Sequence, residues 1–198
     1  MQNKRGISWT LLTLFFLFLI PITAAWYFFH YHILFGTINE GQLIQPPSTI
    51  DTLALQNENA TPFPTKNLLG SWVMMYVVPK NCDQYCMNNL YNMRQIRIAL
   101  GKDQYRVRRL IVTTDQVKDV ALNDLINNEY QGTLHGVVKS KLYKQFIRKN
   151  HIILIDANGA ALFMVDPQGY ILMSYKPTES AEHILKDIHR LISVSEMT

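Results

Sequence analysis

Residues 72–101, WVMMYVVPKNCDQYCMNNLYNMRQIRIALG, decide the fold. Trp72 to Val78 is an unbroken apolar run rich in β-formers, the pattern of a central strand buried on both faces. Pro79 ends it. After the only two cysteines of the chain, Cys82 and Cys86, apolar residues recur at Cys86, Leu90, Met93, Ile96 and Leu100. That spacing is helical, and Gly101 fits the position just past a helix end. A strand therefore feeds a helix, with both thiols at the junction.

Outward from this unit the pattern continues. VRRLIVTTD (Val107 to Asp115) predicts a second strand, with Arg108 and Arg109 at its exposed beginning. DQVKDVALNDLINNE predicts a helix or helical turn. Residues 130–150 are ambiguous, and HIILID (His151 to Asp156) reads as a strand or the approach to one. ALFMVDPQGYILMSY is two apolar runs around Asp166-Pro167-Gln168-Gly169, a hairpin with turn chemistry at its centre. A last helix is predicted from Thr178 as N-cap, with Glu179 and Glu182 against its dipole and Ile184, Leu185, Ile188, Leu191 and Ile192 as its buried stripe. A strand–helix–strand unit prefers a right-handed parallel crossover. The predicted fold class is α/β: a thioredoxin-like mixed sheet of four or five strands with helices on both faces. The cysteines then lie at the carboxyl end of the first central strand, the edge where open α/β sheets place their sites.

Before the domain, ISWTLLTLFFLFLIPITAAWYFF (residues 7–29) carries no charge. As a helix it is roughly 34 Å long, enough to span a bilayer. Lys4 and Arg5 precede it and place the N-terminus in the cytoplasm; Trp26 and Tyr27 suit an interfacial belt. A cleaved signal peptide, with Thr23 and Ala25 at the cleavage site, is the rival reading, but the run is long for one and aromatics follow it. Either reading puts the domain on the extracytoplasmic side, where a disulfide persists. The expected organisation is a cytoplasmic N-terminus (1–6), a transmembrane anchor (7–29), an extended connector (30–66) and a thioredoxin-like domain (67–198). The connector has Pro46-Pro47, Pro62 and Pro64 and docks through Leu43, Ile44 and Leu53.

A net charge of +4, from 19 basic and 15 acidic residues, and the absence of a basic cluster with interleaved aromatics exclude nucleic acid as partner. No Gly-rich phosphate loop, GxSxG elbow or HExxH occurs. The chemistry available is that of the thiols. With the helix starting near Cys82, the pair shares one face of its first turn. The helix terminus and Lys80 favour a Cys82 thiolate, and Asp83 opposes it. The spacing permits a disulfide, thiol–disulfide exchange, or two soft ligands for copper(I). Among the six histidines only His135 and His151 are placed to add a third ligand; each reads first as an ordinary loop residue, since no second set of hydrogen-bonding groups supports either. Most methionines fit core positions.

WVMMYVVPKNCDQYC, RRLIVTTD, LFMVDPQGYIL and ILKDIHRLI together resemble the Sco/SenC family, over residues 40 to 192. GQLIQPP, the CDxxC pair, LYNMRQIRIALGKD and the DPxG hairpin are similar to a bacterial group of cytochrome-oxidase-associated membrane proteins. The resemblance implies a thioredoxin fold, an inner-membrane anchor with the domain in the periplasm, and a role in maturing the copper centre of cytochrome c oxidase. The implied partner is an oxidase subunit or another copper-assembly factor. Cys82 and Cys86 match the family's thiol pair. Met87 stands where the family has proline, and the family's copper-binding histidine falls on Asn158, an amide and a poor copper(I) ligand. His151, seven residues upstream, is the substitute candidate. The leading expectation is a thiol–disulfide oxidoreductase without a CxxC motif, with Cys82 the exposed sulfur and Cys86 the resolving one. A docking factor with a structural disulfide, and a copper(I) carrier using Cys82, Cys86 and His151, are the alternatives.

Overall fold

The computed structural model describes residues 9–30, 39–117, 122, 125, 126, 128, 130, 132–152 and 160–195. The chain divides into two units, Met1–Ile38 and Asn39–Thr198.

In the first unit, Trp9–His30 is a helix, α1, with Pro21 inside it and no acidic or basic residue other than His30. Its apolar side chains Leu12, Leu14 to Ile20, Ile22 and Trp26 to Phe28 are exposed on every side. A helix apolar all round has no face to turn toward water. Among the described residues no helix is long and apolar enough to cross a membrane.

The second unit is built on a six-stranded sheet, ordered β1-β6-β5-β2-β3-β4. The strands are β1 Gln42–Thr49, β2 Trp72–Val77, β3 Val107–Thr114, β4 Leu134–Val138, β5 Ala161–Val165 and β6 Tyr170–Tyr175. β2, β3 and β4 run parallel; β5 is antiparallel to β2, β6 to β5, and β1 to β6. Every residue of β2 is buried, as its continuous apolar run requires. One face is covered by α2 (Gln84–Ala99) and α4 (Ala181–Ser195), and the helical residues Leu122 and Ile126 pack there too. The other face takes α3 (Ser140–Lys149) and the short helix Ile50–Leu53. The ambiguous segment 130–150 thus supplies β4 and α3. Of HIILID only His151 and Ile152 lie within the described residues.

The hairpin turn forms as expected. Asp166 Oδ1 accepts from the amides of Gln168 (3.0 Å) and Tyr170 (2.7 Å), and Gly169 takes a φ of 89° that disfavours a side chain.

Several expectations need correction. The sheet has six strands, not four or five. The expected connector is, from Gln42 to Thr49, an edge strand hydrogen-bonded to β6. Ile44 and Leu53 dock as expected, but Leu43 is 46 % exposed. Arg109 is not at an exposed strand beginning; it is 6 % exposed, because only alternate residues at the start of β3 face outward. Burial first, then Arg97 and Arg94, hold its guanidinium below its ordinary pKa. The N-terminal amide of α4 at His183 donates to Ser180 Oγ (3.2 Å), so Ser180 rather than Thr178 caps that helix.

Candidate functional site

Cys82 and Cys86 are joined by a disulfide. The helix begins at Gln84, just past Cys82. Asp83 is its N-cap, and its Oδ1 accepts from the Cys86 amide at 3.0 Å. The sequence does this locally: Asp satisfies an amide that a helix start leaves without a partner. Cys82 therefore precedes the helix and Cys86 sits in its first turn. The bridge spans the cap, and the Cα atoms stand 5.1 Å apart.

The two sulfurs have different surroundings. Cys86 is 1 % exposed and packs among Tyr76, Val78, Leu90 and other members of the core on the α2 face. Cys82 is partly buried against the same cluster. An incoming group therefore meets Cys82 first. Around it Lys80, Asn81, Asp83, Gln84 and Tyr85 are exposed.

Asn89, one turn after Cys86, was not anticipated. Its buried amide donates to the carbonyls of Tyr85 (2.9 Å) and Pro177 (2.8 Å), tying the disulfide-bearing helix to the loop that follows β6. The available signal was an amide on the same helical stripe as Cys86, Leu90 and Met93.

The other candidates are not gathered at the disulfide. His135 lies on β4 with both ring nitrogens engaged, Nδ1 with Glu58 Oε1 at 2.8 Å and Nε2 with Thr113 Oγ1 at 3.2 Å. His151 is exposed at the turn after α3, with a φ of 51°, and its carbonyl accepts from Gln42 Nε2 at 3.2 Å. Tyr143, Phe146, Ile147 and Ile152 around it belong to the core of the opposite sheet face from Cys86. Asn158 lies outside the described residues. Among the described residues no group of three or more His, Cys, Asp and Glu could hold a metal ion.

A second buried polar feature lies on the same sheet face. Asp187 of α4 is 1 % exposed. Its Oδ2 accepts from the amides of Glu40 (3.0 Å) and Gly41 (3.1 Å) and from the Tyr175 hydroxyl (3.2 Å). Burial, then the Asp187 charge, pushes the Tyr175 phenol far above its ordinary pKa, so it stays protonated and donates. A carboxylate at i+3 from Ile184 was invisible to the periodicity, which counted only apolar residues.

Comparisons with known proteins agree with this architecture. The copper-bound structure of yeast Sco1 is 17 % identical, covering 80 % of this chain and 95 % of that one, with a TM-score of 0.55. BsSco, described as having a disulfide switch and as a member of the Sco family of cytochrome c oxidase assembly proteins, is 17 % identical, covering 78 % and 97 %, with a TM-score of 0.51. The thioredoxin domain of a thiol-disulfide oxidoreductase from Bacteroides vulgatus is 12 % identical, covering 78 % and 99 %, with a TM-score of 0.52. At these identities the likeness is one of fold. No curated protein matches the chain. Residues 72–195, more than half of the chain, match the model of the family described as "Transmembrane-like, thioredoxin-like, C-terminal domain", and the protein belongs to that family.

Proposed function

We propose that the protein is a membrane-anchored thiol–disulfide exchange factor of the bacterial periplasm that assists the assembly of cytochrome c oxidase. The observation that carries the reading is the asymmetry of the Cys82–Cys86 pair, Cys82 only partly buried and Cys86 sealed in the core. A partner thiolate attacks Cys82 Sγ. The bond to Cys86 breaks, and the Cys86 sulfur leaves and takes a proton. A second partner thiol attacks the partner sulfur of the mixed disulfide and releases Cys82. The partner is oxidised to a disulfide and the pair is reduced to two thiols; run backwards, the reduced pair reduces a partner disulfide.

Anchoring is supported by the uncharged run of residues 7–29 and by the all-round apolar surface of α1. Oxidase assembly is supported by the fold shared with BsSco, together with the CDxxC pair and the DPxG hairpin. Copper enters as cargo of the partner: cysteines that are to receive copper(I) must first be reduced thiols.

A structural staple is the second reading. The bridge closes a short loop, a sequence separation of 4, for which the chain-entropy account gives about 2 kcal/mol, the low end for a disulfide. Oxidase assembly in cells carrying Cys82→Ser/Cys86→Ser tests the proposal. Loss of assembled oxidase with the folded protein still present is expected; full assembly sinks the exchange role. Purified protein equilibrated in glutathione buffers separates the staple, which resists mild reductant, from a pair that cycles.

A further inference from the structure

The charge of the chain is gathered on one helix. α3 carries Lys141, Lys144, Arg148 and Lys149 and no acidic residue. Those four cations equal the net charge of the whole chain, +4, so the remaining residues balance to zero. At about 3.6 residues per turn the four share one side of the helix with Gln145, and all five are exposed. The other side, with Tyr143, Phe146 and Ile147, is buried against the sheet. Among the described residues none of the four cations has a carboxylate within ion-pair distance. Of the acids on adjoining elements, Asp115 bonds to Ser140 and Asp51 to the Thr65 hydroxyl.

The helix by itself does not account for this stripe. Arg148 and Lys149 complement the negative end of its dipole, but Lys141 lies in the first turn, at the positive end. Lys141 and Lys144, and Lys144 and Arg148, are like charges three and four residues apart, and each such pair weakens a helix. The cations are held against local stability, so their use lies outside the helix.

We propose that the outward face of α3 docks the folded unit onto an anionic lipid surface. Lipid suits this face better than protein does. The face holds no exposed aromatic or aliphatic side chain to anchor in a partner's pocket, and three of its four cations are lysine, a hydrated point charge depleted from protein interfaces. A fluid layer of phosphates needs no shape complement, and each cation held near an anionic surface strengthens association about fivefold. The stripe lies wholly within the folded unit. α3 and Cys86 pack on opposite faces of the sheet, so a surface that covers α3 leaves the face of the disulfide uncovered.

The full chain in phosphatidylcholine vesicles, with and without phosphatidylglycerol, tests this. A membrane-impermeant acylating reagent and peptide mass spectrometry read each lysine. Phosphatidylglycerol is expected to slow acylation of Lys141, Lys144 and Lys149 severalfold and to leave Lys80 and Lys102, exposed on either side of α2, at their former rates. The difference is expected to vanish at about 1 M salt, where the Debye length is about 3 Å. In Lys141→Gln/Lys144→Gln/Arg148→Gln, which removes both like-charge pairs, Lys149 is expected to react equally in the two vesicles. Stripe lysines that react at the same rate in both vesicles overturn the proposal and leave the stripe to an acidic protein. Equal slowing at all five lysines, or a Lys149 still protected in the variant, overturns it as well. Flotation separates docking from the anchor: a chain that floats only with phosphatidylglycerol upholds docking and overturns the anchor alone, and one that floats with neither vesicle overturns both.

Discussion

Replacing Asp187 tests the role of its buried carboxylate directly. In Asp187→Ala three donors lose their acceptor: the Gly41 amide and the Tyr175 hydroxyl, both in buried bonds, and the part-buried Glu40 amide. An orphaned buried donor costs about 1–3 kcal/mol. The two buried ones together make roughly 2–6 kcal/mol, against a total stability of order 5–15 kcal/mol for a domain. Asp187→Asn keeps an acceptor of the same shape and loses only the strengthening that a charged acceptor provides, about 1–2 kcal/mol. The order of stability is therefore native, Asn, Ala. Urea unfolding of the full chain in detergent, followed by far-ultraviolet circular dichroism, measures it. Hydrogen exchange at Glu40 and Gly41 is a local check and accelerates most in the Ala variant. An Ala variant within about 0.5 kcal/mol of native, or an Asn variant less stable than Ala, refutes the reasoning.

Two further outcomes follow from charged groups outside the sheet. Asp115 Oδ1 accepts from the Ser140 hydroxyl (2.7 Å) and amide (2.9 Å), capping α3 from the end of β3. These bonds, side chain first, hold its carboxyl below the ordinary value of 3.8. A depressed folded pKa gives stability that is present above pH 3.8 and lost as pH falls through the folded value. Asp115→Ala should cost about 1 kcal/mol at neutral pH and flatten that acid limb of the stability curve; an unchanged limb counts against the cap. His183 Nδ1 is 2.7 Å from Glu179 Oε1 and 3.9 Å from Glu40 Oε2. The Glu179 bond, then the Glu40 charge, raises its pKa above 6.5 despite some desolvation. Its contribution is complete below pH 6.5 and lost as pH rises through the folded value. In an NMR titration Glu179→Gln should lower the His183 midpoint; no movement removes that pairing.

Residues 72–101 show how far one dimension reaches. The unbroken apolar run reads as a strand covered on both sides because it is short, rich in β-formers and closed by Pro79, and the 86, 90, 93, 96, 100 stripe reads as a helix with one buried face because side-chain period follows from backbone geometry. The cysteine spacing and the Asp-Pro-Gln-Gly turn are local in the same sense. For the site this was enough to pair Cys82 with Cys86 and to make Cys82 the more accessible sulfur.

What stayed hidden depended on partners far along the chain. QLIQPPST has two prolines and no alternation, so nothing in it announces a strand; it becomes one because β6 offers an edge. His135 reads as a free loop histidine until Glu58, 77 residues away, takes one ring nitrogen. Asp187 looks like one more solvated charge on an amphipathic helix until Glu40 and Gly41, 147 and 146 positions earlier, bring their amides to it. Periodicity and propensity register what a residue does to its own neighbours. A buried carboxylate becomes tolerable only when distant donors converge on it, and that convergence exists only in three dimensions.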